Sequence, residues 1–120
     1  MDTIVRRYWK AIEERDWDAL RAVVTDDVVY ELPQSRERAR GREELVRFAA
    51  GYPGDWHVAI ERSLVDGDQA ASWITFTLDG AVAPGLTFFL LDGAGLIRQI
   101  TDFWPEEFEP PAERAHLSRY

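Results

Sequence analysis

Three Asp-Gly pairs punctuate the second half of the chain, at positions 66–67, 79–80 and 92–93, each thirteen residues after the one before. Asp-Gly between apolar runs marks tight hairpin turns, because the primed turns that match strand twist need positive φ. The spacing therefore predicts four antiparallel strands near residues 56–65, 69–79, 86–91 and 96–104. The first and third pairs read as simple turns. The second opens a longer connection through Pro84 and Gly85.

The first half has a different period. Ile4, Val5, Tyr8, Trp9 and Ile12 recur at helical spacing, which predicts an amphipathic helix over about residues 2–14. Asp16 caps a second, shorter helix carrying Trp17, Leu20, Val23 and Val24. Thr25-Asp26-Asp27 breaks that pattern, and Val28–Leu32 reads as a short strand stopped by Pro33. Residues 34–41 are polar and Arg-rich and read as a loop. Gly41 opens a third helix, with Glu43 and Glu44 in its first turn, and Gly51 and Pro53 end it. Residues 106–120, with Pro110 and Pro111, read as a tail. Three N-terminal helices followed by a meander predict a single α+β domain over 1–120, with a core of about 3–105. A strongly curved, mostly antiparallel sheet closing over three helices makes a cone with an open mouth.

Composition narrows the function classes. At 46% apolar and 30% charged, with five Trp, four Tyr and six Phe, the chain is globular and rich in rings that can line a cavity. Cys is absent, and the two His, His57 and His116, lie far apart, so no metal site is expected. A net charge of −8 argues against nucleic acid and anionic membranes. The basic run Arg36, Arg38, Arg40, Arg42 reads as a solvated loop, with an anion site as the other reading. No run reaches the ~20 apolar residues that span a bilayer, and no signal-peptide core is present, so the expected location is the cytoplasm.

The last strand carries the chemistry. Alternation in Ile97–Pro105 places Ile100, Asp102 and Trp104 on one face. A lone acid on an apolar face costs free energy unless it is paired, protonated or used. Asp102 is thus either a pocket acid/base or a structural carboxylate held by Arg98 or a helix terminus. Tyr8 is a hydrogen-bond donor into the cavity or a core aromatic. Trp104, Ile100, Leu32, Trp9 and Phe88 are further candidates for the pocket wall. Trp73, sharing a face with Ala71 and Thr75, suits a pocket or a dimer interface. Glu31, offset by one residue from Tyr30 and Leu32, is expected to face outward.

Several segments in this order resemble the nuclear transport factor 2-like superfamily, particularly its SnoaL-like (polyketide cyclase) and ketosteroid isomerase-like branches. They are Val5–Ile12, Arg15–Leu20, Asp26–Glu31, Gly41–Leu45, Asp92–Gly95 and Ile100–Pro105. The resemblance implies the cone fold and a common pairing through the outer sheet face, which here offers Thr75, Thr77, Gln99 and Thr101 with aromatics. A homodimer is expected. It also separates reactions. Tyr8 stands where steroid isomerases carry an oxyanion donor, but Leu32 precedes Pro33 where they carry a base, and Thr87 aligns with their second acid. Limonene epoxide hydrolases share an acid at Asp102 but also need an Arg-x-Asp pair that Gln69–Leu78 lacks. Polyketide cyclases, which rely on one pocket Asp, match best. The resemblance implies a cofactor-independent enzyme acting on a small apolar carbonyl or polycyclic compound. The alternative is a non-catalytic module of the same fold, binding a small molecule or another protein.

Overall fold

The computed structural model describes residues 2–120. Helix α1 spans Ile4–Glu13, capped by the Thr3 hydroxyl accepting from Arg6 N at 3.2 Å. It buries Val5, Tyr8, Trp9 and Ile12, the stripe its spacing predicts. Arg15 then takes positive φ, and the Asp16 carboxylate caps α2 (Trp17–Val23) by accepting from Ala19 N. Helix α3 spans Arg42–Ala50 and buries Leu45 and Val46.

Six strands form one sheet: β1 (Val24–Leu32), β2 (Glu37–Arg40), β3 (Trp56–Asp66), β4 (Gln69–Leu78), β5 (Ala81–Leu91) and β6 (Ile97–Phe103). Their order is β2-β1-β6-β5-β4-β3, antiparallel throughout except that β1 runs parallel to β6. The sheet curls around the helices without closing, so the predicted α+β cone is the fold observed.

Four details of the sequence reading need correction. Asp92-Gly93 is not a simple turn: a five-residue loop, closed by Asp92 N donating to Leu96 O and with its positive φ at Gly95, joins paired Leu91 and Ile97. Val24 belongs to β1, not α2, and Thr25-Asp26-Asp27 continues that strand through an irregular stretch; Arg42 fastens it by donating to Val24 O at 2.9 Å and pairing with Asp26. The Arg-rich segment is not only loop, since Glu37–Arg40 forms β2. An edge strand of charged residues carries no apolar alternation, and its Arg38 meets Glu31 directly across the ladder. Lastly, Asp79-Gly80 is itself a two-residue turn, with φ of 49° and 86°, joining paired Leu78 and Ala81. Strand β5 therefore runs straight through Pro84 and Gly85. Pro84 is tolerated because β6 pairs with β5 only from Leu86 onward.

The core lies between the inner sheet face and α1–α3, around Tyr8, Leu20, Leu45, Ile74, Phe89, Ile97 and Ile100. Residues 106–120 are exposed throughout, with one short helical turn at Ala112–Arg114. This projecting tail accounts for a radius of gyration of 15.8 Å, above the roughly 14 Å expected of a compact chain this long. Among the described residues, no helix is long and apolar enough to cross a membrane.

Candidate functional site

The alternation of β6 places Asp102 on the inner face, where it is 2% exposed. Its two oxygens are taken by different strands. Thr87, its register partner on β5, donates from Oγ1 to Oδ1 at 2.8 Å. Tyr30 on β1 donates its phenol to Oδ2. The parallel β1–β6 pairing makes the second bond possible, by setting Tyr30 beside Ile100, one step along the same face from Asp102.

Burial raises the Asp102 carboxyl from its ordinary 3.8 to about 6, against the opposing pull of hydrogen bonds from Tyr30, Thr87 and the Trp104 side chain. The structural alternative of an ion pair with Arg98 is absent: Arg98 is exposed, because β6 shifts register between Ile97 and Gln99. Tyr8 is 1% exposed, and burial and then the Asp102 charge push its phenol well above the ordinary value. Tyr30 is raised in the same way. Both phenols thus remain protonated donors. Tyr30 spends its proton on Asp102, whereas the Tyr8 hydroxyl has no hydrogen-bond partner among the described residues.

Asp102, Tyr8 and Tyr30, all buried, line the inner end of a cavity of about 580 Å³ between the helices and the curled sheet, with Thr87 behind Asp102. That size suits a small organic molecule. Tyr8, Trp9 and Ile12 of α1 form one wall, and Leu45, Phe48 and Ala49 of α3 another. Phe76 and Leu78 of β4, with Ala81–Pro84 of β5, form the sheet side, and Trp104 and Glu106 stand with Gln34 and Glu37 near the mouth. Edge-to-face and tilted contacts at 5.2–5.9 Å link Tyr30, Phe48, Tyr52, Phe76 and Trp104 into a continuous belt of rings. Gln34 fixes the rim by accepting from the Trp104 backbone N–H. Trp104 packs against Gly85, where a Cβ would stand 2.8 Å from its ring.

Of the sequence candidates, Asp102, Tyr8, Trp104, Leu32 and Trp9 line this cavity. Trp9 is held by its indole N–H donating to Ser72 Oγ at 2.9 Å. Three candidates do not line it. Ile100 faces inward but is fully buried beneath the helices. Trp73 and Phe88 are 45% and 53% exposed on the outer sheet face, where alternation opposite buried Ser72, Ile74, Thr87 and Phe89 must put them. Glu31 faces away from the cavity, bonded to Arg38 and Gln99. His57 is outside it too, bonded to Glu13 at 2.9 Å. Sequence reasoning missed Tyr30 as a site residue, although its phase with Val28 and Leu32 had placed it on the inner face. What was lacking was the pairing that brings β1 against β6.

The SnoaL-like domain family model matches residues 5–102. A solved structure from Kribbella flavida DSM 17836, named as a candidate ketosteroid isomerase, superposes with a TM-score of 0.93 at 40% identity, covering 98% of this chain and 86% of that one. An NTF-2 like protein of unknown function from Burkholderia xenovorans LB400 gives 0.82 at 23% identity, covering 98% and 91%. A candidate SnoaL-like polyketide cyclase from Shewanella denitrificans OS-217 gives 0.75 at 18%, covering 85% and 88%. Among curated proteins none matches the sequence. With a matching model across most of its length and a close structural relative, the chain belongs to the SnoaL-like domain family.

Proposed function

We propose that this protein is a cofactor-independent enzyme performing general acid/base chemistry on a small apolar carbonyl or polycyclic compound. The observation that carries this reading is a carboxylate 2% exposed at the deep end of an aromatic cavity, with no cation beside it and a pKa of about 6. A carboxyl poised there is mostly ionised at neutral pH yet basic enough to take a proton and return it. In the proposed step an Asp102 oxygen removes a proton from carbon next to a carbonyl. The C–H electron pair becomes the enolate C=C bond, the carbonyl π pair moves onto oxygen, and the Tyr8 hydroxyl donates to the developing oxyanion. Tyr30 and Thr87 hold the carboxylate in position.

The enolate so formed could be reprotonated at another carbon, as in isomerisation, or attack a second carbonyl, as in cyclisation. Cyclisation is favoured, because Leu32 and Thr87 stand where the isomerase resemblance calls for two further acids. The resemblance also supports a homodimer built on the outer face, where Trp73, Leu86 and Phe88 are exposed.

A test that needs no knowledge of the natural substrate is hydrogen–deuterium exchange at carbons next to the carbonyl in a panel of apolar cyclic ketones, followed by NMR. Exchange catalysed by the parent protein and lost in Asp102→Asn is the expected result. Exchange at the same rate in both proteins would end the acid/base assignment.

A further inference from the structure

Eight residues lining the cavity are aromatic and three are acidic (Asp102, Glu37 and Glu106), while none is Lys, Arg or His. This is unusual for a chain with fourteen Lys and Arg, and its electrostatic sense is clear. Ring faces are the negative end of the aromatic quadrupole, so a belt of them favours a cation and disfavours an anion. The deep carboxylate acts in the same direction. Asp102 receives only neutral donors, the Tyr30 and Thr87 hydroxyls and the Trp104 side chain, which orient it without cancelling its charge. Arg15 lies 3.5 Å from the Trp56 ring centre but donates to Trp56 O and Glu13 O, and Arg38 and Arg47 line a neighbouring recess that shares Tyr30, Phe48 and Tyr52; none of the three lines the cavity itself.

From this we infer that the compound this pocket takes is a cation: an apolar molecule carrying a protonated or quaternary amine, its positive charge held among the rings of Tyr30, Phe48, Tyr52, Phe76 and Trp104 within the field of Asp102. The inference rests on the small-molecule reading above and specifies its substrate class. It excludes carboxylates, phosphates and thioesters of phosphate-bearing carriers as groups that enter the cavity. It also answers a gap in the proposed chemistry. Proton abstraction moves the negative charge from Asp102 to the substrate oxygen, in a cavity whose lining offers neutral donors such as the Tyr8 hydroxyl but no cation. An ammonium on the substrate supplies the compensating charge that the lining lacks.

The experiment compares two probes of nearly identical shape, para-hydroxyphenyl trimethylammonium and neutral para-tert-butylphenol, titrated calorimetrically into the parent protein, Asp102→Asn and Phe76→Leu. The expected result is a preference for the cation of about tenfold or more in the parent, the size of a desolvated cation–ring contact. That preference falls toward parity in both variants, while affinity for the neutral probe stays within a few-fold and so reports that the pocket is still formed. A neutral probe binding as tightly as the cation overturns the inference and leaves the pocket reading standing. A preference unchanged in both variants overturns its assignment to these residues. Binding of neither probe at millimolar concentration overturns the small-molecule pocket itself, and the cation preference with it.

Discussion

Thr87 and Asp102 face each other directly across β5 and β6, and the Thr87 hydroxyl donates to Asp102 Oδ1 at 2.8 Å. With Tyr30 on the other oxygen, every polar contact that Asp102 makes favours its ionised form, while burial favours the neutral one. Burial prevails, and the sign of that balance can be measured.

Asp102→Asn should stabilise the protein at alkaline pH. The folded carboxyl titrates at about 6 and the unfolded one near 3.8, so the folded state holds its proton longer. Stability attributable to this group is therefore full below the unfolded value and is lost as pH rises toward 6. The loss amounts to about 3 kcal/mol above that window. Urea denaturation should show the variant gaining on the parent by up to that amount above pH 6, with the gap narrowing in acid. If turnover uses the ionised form, the parent's activity should rise through about pH 6. A uniform loss of stability in the variant would mark the group as structural.

Tyr30→Phe and Thr87→Val each remove a donor that holds the carboxyl down, so each should move the pH–rate midpoint upward. Tyr30 should have the larger effect, as the stronger of the two opposing influences. Each variant also leaves a buried oxygen without a partner, at a cost of roughly 1–3 kcal/mol in urea melts.

Tyr8→Phe separates function from folding. The lost hydroxyl has no protein partner, so stability should change by no more than about 1 kcal/mol. Turnover should fall about 10²–10³-fold, as for other lost oxyanion donors. A drop in stability without a drop in rate would return Tyr8 to the core.

Gly85→Ala probes the pocket wall. A Cβ there meets the Trp104 ring at 2.8 Å and Ile74 at 3.0 Å, so the indole must tilt into the cavity. The expected cost is about 1–3 kcal/mol, with a shift in tryptophan emission and weakened ligand binding.

The outer face gives a separate prediction. Sedimentation should find the parent as a dimer and Phe88→Glu as a monomer, because Phe88 stands half-exposed beside Phe103 with their ring centres 6.0 Å apart. A parent that sediments as a monomer would remove the pairing.

Most of the fold was legible because its cues are local. The Asp16 cap, the α1 stripe and the first Asp-Gly turn each act within a few residues of where they are read. The edge strand β2 was not legible: its charged side chains face water, and only the ladder to β1 makes it a strand. Asp102 and Tyr8 could be found because an acid among apolar residues and a phenol on a buried stripe are visible in one dimension. Tyr30 could not be tied to Asp102, since nothing local states that β1 lies parallel to β6. The same limit put Phe88 among the pocket candidates and left Trp73 open between pocket and dimer interface. Their apolar character is plain, but their phase relative to the core depends on register.

The parallel pairing of β1 with β6 has a kinetic consequence. The Tyr30–Asp102 bond joins residues 72 apart in sequence, and the Trp9–Ser72 bond spans 63. A hairpin can form from local turns long before these contacts exist, and closing loops of such length slows folding. The acid enters its desolvated environment only when the first and last strands meet, so a partly folded chain carries an ordinary surface aspartate. Ligand affinity and assembly of the whole sheet are therefore one cooperative event. A tight ligand should slow global unfolding of the domain as much as it occupies the cavity.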